Sequence, residues 1–326
     1  MWNDIMSIRI LTGSDVRKAL PMTKAIEAMR HAYGQLSANK AIAPPRQHIS
    51  SEKGITLIMP AYLPERNEFG IKVVSVYDEN PSHNLPRITA TVLVLDPTTG
   101  IPLAFMDGSS LTAIRTGAGG GLAAELLARK DAKIVGLFGA GVQARAQLQA
   151  VMAVRDITHV NLISRTQESA QQLATEISEW NNPPKVNLIS TPKEVVEDAD
   201  IVICATTSGT PLFDGNDLTA GTHITAVGTF VPEKREVDTT TIRRANRIVV
   251  DSREDCLEEA GDLIIPNAEA DAEIGEIVNG DKPGRESDNE ITFFKSVGVA
   301  VQDAVSAAIV LKEAEEKGLG TIVELM

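Results

Sequence analysis

The chain has 326 residues, 43% of them hydrophobic and 23% charged, with 24 Gly and 16 Pro; at roughly 150 residues per domain that describes about two globular domains and excludes a disordered, collagenous or coiled-coil protein. Lys and Arg number 31 against 44 Asp and Glu, a formal net charge of -13, which argues against a nucleic-acid or anionic-membrane surface as the main business and leaves room only for a local basic pocket. Cys204 and Cys256 lie far apart, each without a Cys or His at ligand spacing, so neither a disulfide framework nor a zinc site is expected.

The opening MWNDIMSIRI lacks a basic region followed by a long apolar stretch, and no window approaches the roughly 18 apolar residues of a membrane span. The expectation is a cytoplasmic protein with no membrane contact. Ser14 is a candidate N-cap, followed by Ala19, Ile26, Met29 and Tyr33 near helical spacing, with Pro21 suited to a first helical turn. Residues 55–59, 71–77, 88–95 and 101–106 are β-branched runs, the last two joined by the turn sequence 96–100. They predict a mostly antiparallel sheet with one or two helices, an α+β domain.

From residue 109 the texture changes. A long helix candidate, SSLTAIRTGAGGGLAAELLARK, leads into strand candidates at 133–138, 159–163, 186–190, 200–205, 222–227 and 247–250, with helical patterns such as 143–154 and 167–179 between them. This alternation predicts a doubly wound parallel sheet of the Rossmann type. The tail, about 298–317, reads as one more helix that packs back on the first domain. The expected division is 1–113 plus 304–326 for a discontinuous substrate-binding and dimerisation domain, and 114–303 for the dinucleotide-binding domain.

The sharpest chemical signal is Gly139-Ala140-Gly141-Val142-Gln143-Ala144, a G-x-G-x-x-A fingerprint that follows an apolar strand and opens a helix. Gly139 permits the tight turn, Gly141 lets a pyrophosphate approach the backbone, and Ala144 lets helix pack closely on strand. The helix N-terminus offers free N–H groups to the phosphates. The second strand of the unit ends Ile163-Ser164-Arg165-Thr166, with no acidic residue to bond a ribose 2′-hydroxyl; an Arg and two hydroxyls suit a 2′-phosphate. NADP is therefore expected, with NAD as the alternative.

Isolated cations mark the other half of the chemistry. Lys72 interrupts the apolar run 69–76, on the strand face opposite Ile71 and Val73; Arg46 follows Pro44-Pro45; Arg115 lies in the Gly-rich segment 113–121. Each also has a plain reading, as an exposed-face lysine, a surface arginine and a residue of a helix whose glycines serve packing.

Taken with Met59-Pro60, Gly70-Ile71-Lys72, Ala90-Thr91-Val92, Asp107-Gly108, the run Leu111 to Ala118, Glu259-Ala260-Gly261-Asp262-Leu263 and Phe294-Lys295-Ser296-Val297-Gly298, these motifs make the chain resemble the ornithine cyclodeaminase/μ-crystallin family over nearly its whole length. The resemblance implies that Arg46 and Arg115 grip a substrate α-carboxylate and that Lys72 is the catalytic residue over the reacting carbon and nitrogen. A guanidinium fork matches a carboxylate, and a lysine among positive charges loses its proton more easily, which suits proton transfer. It also assigns Arg115, Thr116, Gly139, Gly141, Val142, Gln143, Ser164, Arg165, Thr166, Thr206, Val227 and Ser296 to dinucleotide contacts, and implies a homodimer formed through the first domain's sheet.

One departure separates the chain from cyclodeaminases, which carry an acidic residue where Phe230 stands and another in the strand segment that reads Leu57-Ile58. Without those carboxylates, plain C=N reduction is expected: an NAD(P)H-dependent imine reductase of small α-imino acids, Δ1-pyrroline-2-carboxylate or Δ1-piperideine-2-carboxylate. The alternatives are an alanine-type amino-acid dehydrogenase, ornithine cyclodeaminase, or a μ-crystallin-like NADPH-dependent ligand-binding protein. His31, His48, His83, His159 and His223 have no i, i+4 partner and read as structural or surface residues; the acidic stretch 251–259 reads as a solvated helix face.

Overall fold

The computed structural model describes residues 7–325; residues 1–6, on which the leader expectation partly rests, lie outside it. In chain order the elements are β1 (Ser7–Leu11), α1 (Gly13–Ala19), α2 (Met22–Ser37), β2 (Gln47–Ser50), β3 (Ile55–Leu63), β4 (Glu68–Val76), β5 (Ile88–Leu95), β6 (Pro102–Asp107) and α3 (Gly108–Leu127). There follow β7 (Ile134–Phe138), α4 (Val142–Val154), β8 (His159–Ile163), α5 (Gln167–Ser178), β9 (Lys185–Leu188), α6 (Pro192–Val196), β10 (Ile201–Cys204) and β11 (His223–Ala226). The chain ends with α7 (Thr239–Arg244), β12 (Arg247–Val250), α8 (Arg253–Glu259), α9 (Gly261–Ile264), β13 (Ala272–Glu273), α10 (Ile274–Asn279), β14 (Thr292–Lys295), α11 (Ala300–Lys317) and β15 (Thr321–Glu324).

Two compact units result, one of residues up to Arg115 together with Val299 onward, the other Thr116–Gly298. The expected boundaries, 113/114 and 303/304, thus move to 115/116 and 298/299. The physical reason is that the first turns of α11 carry Gln302 and Asp303, which bond side chains of the first unit.

The first unit is built on a sheet in the order β15-β1-β6-β5-β4-β3-β2, antiparallel except where β1 runs parallel to β6. α11 lies against β3, β4 and β5 and beside α2. Along β4 the residues 68, 70, 72 and 74 are buried while Val73 is exposed, so the helix-covered face is the one that carries Lys72. The helix expected from Ser14 is in fact two. Thr12 caps α1, its side chain and that of Asp15 forming a reciprocal capping box, and Pro21, which lacks an N–H and sits at the N-cap of α2, separates the pair.

The second unit carries a sheet in the order β13-β12-β14-β11-β10-β7-β8-β9, with every pairing among the described residues parallel. Numbered from β7 in chain order, the strands read 3-2-1-4-5-8-6-7 across the sheet; the first five follow the doubly wound arrangement, whose crevice opens beyond the carboxyl ends of β7 and β10, and β14 is inserted before β12. Strand β14, which joins β11 to β12, was not among the strand candidates. It is four residues long and wholly buried, so it shows no alternation to mark it. Among the described residues no helix is long and apolar enough to cross a membrane.

Candidate active site

In the first unit the structure brings together Lys72, Arg115 and Asp303, a carboxylate the sequence reasoning did not single out. Lys72 is 2% exposed, which overturns the plain reading of an exposed lysine. Its Nζ stands 2.6 Å from Asp303 Oδ2, and Arg115 Nε lies 3.1 Å from Asp303 Oδ1. Arg115 Nη1 donates to Gln302 Oε1 at 2.6 Å, and Gln302 Nε2 in turn donates to the buried Tyr33 hydroxyl at 2.7 Å. This chain of bonds fixes the guanidinium plane. Arg46, half-buried on the extended segment before β2, is close enough to act on the charge of Lys72.

The Lys72 ammonium is lowered to about 8, first by burial and then by Arg115, with Arg46 adding to the effect and Asp303 opposing it. The expectation of an easily lost proton holds, but its leading cause is desolvation and not the neighbouring charges. Lys72 and Arg115 share the single carboxylate of Asp303, two cations to one anion, which leaves the cluster net positive, an electrostatic invitation to an anion. Register places Met59 of β3 opposite Lys72, and Leu57 shares the buried face of Met59. That strand therefore offers the lysine an apolar neighbour, with no acidic side chain along β3.

In the second unit Gly139 has φ +107°, and a Cβ there would strike the Ala205 carbonyl. Only glycine permits that turn. At Gly141 a Cβ would meet nothing within 4 Å, so the backbone is open to a close-lying group. Gly141 caps α4 without a side-chain hydrogen bond, which leaves the first N–H groups of α4 free of side-chain caps. Val142 is exposed, Ala144 is fully buried, and the Gln143 side-chain oxygen is buried with no hydrogen-bond partner. This geometry fits a pyrophosphate, and Gly139, Gly141, Val142 and Gln143 would hold it.

The other expected contacts sit on the loops beyond the strand ends. Ser164 Oγ lies 2.9 Å from Ser169 Oγ, Thr166 caps α5 through the Ser169 N–H, and Arg165 between them is exposed. Thr206 donates both its N–H and its hydroxyl to Glu236, each at 2.7 Å. Val227, after β11, bonds back to the Cys204 carbonyl at 3.0 Å. Ser296 Oγ donates to Asp251 at 2.6 Å, and the same carboxylate accepts the N–H groups of Val297 and Gly298. That finding corrects the reading of 251–259 as a solvated face at Asp251 and Cys256, while Glu254, Leu257 and Glu258 of α8 are exposed as expected. Asp251 and Cys256 are buried, because the carboxylate is used to fold the 296–298 turn. The Gly-rich part of α3 also finds its reason: at Gly120 a Cβ would collide with the Gln147 side chain of α4. Thr116, at the start of that segment, accepts a hydrogen bond from Gln147 through its carbonyl at 2.8 Å.

Comparison with known proteins extends these local observations to the whole chain. The model of the ornithine cyclodeaminase/mu-crystallin family matches residues 6–318. A Delta(1)-pyrroline-2-carboxylate reductase of Bacillus cereus is 40% identical over 324 residues, 97% of this chain and 99% of that protein. The solved structure of Thermococcus litoralis Delta(1)-pyrroline-2-carboxylate reductase in complex with NADH and L-proline is 42% identical, covers 96% of this chain and 99% of its own, and has a TM-score of 0.92. An archaeal alanine dehydrogenase dimer with bound NAD reaches the same TM-score of 0.92 at 33% identity, covering 98% of this chain and 100% of its own. Fold, fingerprint and near-complete coverage agree, and the chain belongs to the ornithine cyclodeaminase/mu-crystallin family.

Proposed function

We propose that the protein is an NAD(P)H-dependent reductase of small cyclic α-imino acids, converting Δ1-pyrroline-2-carboxylate or Δ1-piperideine-2-carboxylate to L-proline or L-pipecolate. The observation that carries this reading is the net positive cluster in which a buried lysine shares one carboxylate, Asp303, with Arg115. Arg46 and Arg115 bind the substrate carboxylate, the fork geometry setting the orientation of the C=N bond. Lys72 gives its proton to the imine nitrogen and so makes the carbon electrophilic. Asp303 holds both Lys72 and Arg115 in place. A bound reduced nicotinamide supplies the hydride for that carbon. The whole-length likeness to Delta(1)-pyrroline-2-carboxylate reductases supports the same substrate class.

The fingerprint supports a dinucleotide, and Arg165 with Ser164 and Thr166 in place of an acid supports a 2′-phosphorylated one. Arg115, Thr116, Thr206, Val227 and Ser296 complete the proposed contacts. We place the enzyme in the cytoplasm as a homodimer joined through the first unit's sheet. Ile71, Val73, Leu93, Leu103 and Phe105 line the sheet face away from α11 and are partly or fully exposed, a patch that suits a second copy.

The test follows NAD(P)H oxidation, by the loss of nicotinamide absorbance, with cyclic imine carboxylates and with pyruvate plus ammonia; a third arm, L-ornithine with catalytic NAD, consumes no net cofactor and is assayed for proline and ammonia. Turnover with the cyclic imines and no proline from ornithine is expected, since a dibasic substrate would leave an amine unpaired beside the apolar Leu57 and Met59 of β3, at a cost of several kcal/mol. Turnover confined to pyruvate plus ammonia would replace the proposal with amino-acid dehydrogenation. Arg165→Asp is expected to shift preference from NADPH towards NADH, and a wild-type enzyme that strongly prefers NADH would remove the 2′-phosphate assignment.

A further inference from the structure

The motifs 259–263 and 294–298 each contribute one side chain to a buried ionic cluster in the second unit. Lys295 and Asp262 are both fully buried, with Lys295 Nζ 2.7 Å from Asp262 Oδ2, and the same ammonium donates to the Thr229 carbonyl at 2.7 Å. The other oxygen of Asp262 accepts the N–H groups of Glu236 at 2.7 Å and Val237 at 3.0 Å. Glu236, also fully buried, turns its carboxylate the other way. Oε1 accepts from the N–H and hydroxyl of Thr206, after β10, and Oε2 accepts from the N–H of Gly228, after β11, at 2.7 Å. A Cβ at Gly228 would collide with that carboxylate. One side chain thus bridges two neighbouring loops at the carboxyl end of the sheet, and nothing in the substrate chemistry uses it.

We infer that Glu236 is a positioning residue of the dinucleotide site: its two oxygens lock the Thr206 and Gly228 loops in the spacing the cofactor requires, and Lys295 with Asp262 holds Glu236 in place. The inference rests on the proposed dinucleotide site, since Thr206 and Val227 are its assigned contacts. Two preorganised loops lower the ordering cost that binding would otherwise meet. The cluster also explains why a charged side chain stands at the end of the wholly buried strand β14. Without Lys295, two carboxylates would face each other in the core.

Glu236→Gln isolates the effect. The replacement is isosteric and leaves Lys295 and Asp262 as a balanced pair, so the fold is retained. It puts an NH2 group where an acceptor stood, so a donor must face the Thr206 or the Gly228 N–H. Two readouts are taken on the full-length protein without substrate: backbone hydrogen exchange at Thr206 and Gly228, and NADH and NADPH affinity by fluorescence titration. Exchange at one or both amides is expected to rise by about tenfold or more, and dinucleotide Kd by about tenfold, the scale of one charge-assisted hydrogen bond. The KM for the imine at saturating cofactor stays as in the wild type, which a general loss of structure would not spare. Unchanged amide exchange, or faster exchange with an unchanged Kd, overturns the inference while leaving the dinucleotide reading intact. A wild-type protein that binds neither dinucleotide overturns both. Should the Gln variant fail to fold, Glu236→Asp keeps the charge and shortens the reach; the same amides then exchange faster, and their unchanged protection counts against the clamp.

Discussion

Each unit buries a lysine against an aspartate at nearly the same distance, Lys72 on Asp303 at 2.6 Å and Lys295 on Asp262 at 2.7 Å, yet the two are pushed in opposite directions. Burial opposes the charge in both. Around Lys72 the next charges are Arg115 and Arg46, and its pKa falls to about 8. Around Lys295 the next charge is Glu236, and the attraction of Asp262 and Glu236 outweighs burial, holding the ammonium above its ordinary value. What decides whether a buried lysine is a proton donor or a structural ion is therefore the sign of its second neighbour, not the presence of its first. Lys72 can give up its proton near neutral pH, and Lys295 cannot.

Methionine at each position separates the two roles most strongly. Lys295→Met leaves Asp262 and Glu236 buried without a cation, and breaking such a cluster from one side costs about 3–5 kcal/mol. The expected outcome is a large fall in the urea midpoint with an unchanged slope. A midpoint within experimental error of the wild type would show that Asp262 or Glu236 is protonated in the core and that the cluster is not ionic.

Lys72→Met breaks the comparison from the other side. Here Asp303 keeps its bond to Arg115, so no carboxylate is stranded, and the fold and dinucleotide affinity are expected to survive. Turnover of the cyclic imine falls by about 10²-fold or more, the scale of losing a positioned acid. Full turnover in this variant would sink the catalytic assignment, whatever its stability.

Lys72 and Lys295 also show what can be read from sequence and what cannot. The dinucleotide half was legible because its logic is local: strand β7, the glycines of the turn and the helix α4 follow one another along the chain. Lys72 was visible as an odd cation in an apolar strand, and the family motif gave it a role, but its environment was not visible. Asp303 sits in the first turn of α11, where an acidic residue is already accounted for by the helix dipole, so nothing in the tail pointed back to β4. Lys295 ends a strand that has no alternation to reveal it. Glu236, on the loop after β11, and Asp262, in α9, are its neighbours, and only the doubly wound topology brings them to one end of the sheet. Long-range pairing of charges, rather than their presence, is what the sequence withheld.

The smallest effect expected is also the most direct reading of the Lys72 environment. If the ammonium supplies the proton for reduction, the rate of imine reduction is level below pH about 8 and falls above it, approaching tenfold per unit. The reverse reaction, oxidation of the amino acid, needs the neutral amine and rises through the same range. Unfolding does not mimic this profile. A lysine whose folded pKa lies below its unfolded value binds fewer protons in the native state, so between about 8 and 10.5 this group makes the protein more stable as pH rises, not less. Rates measured from about pH 6 to about pH 10 in both directions should therefore cross near the Lys72 pKa, with the thermal midpoint not falling on account of this residue, and Lys72→Met should flatten both limbs of its slow residual turnover. A reductive limb that begins to fall only above about pH 10 would mean that Asp303 outweighs burial and the two arginines, and that Lys72 resembles Lys295 after all.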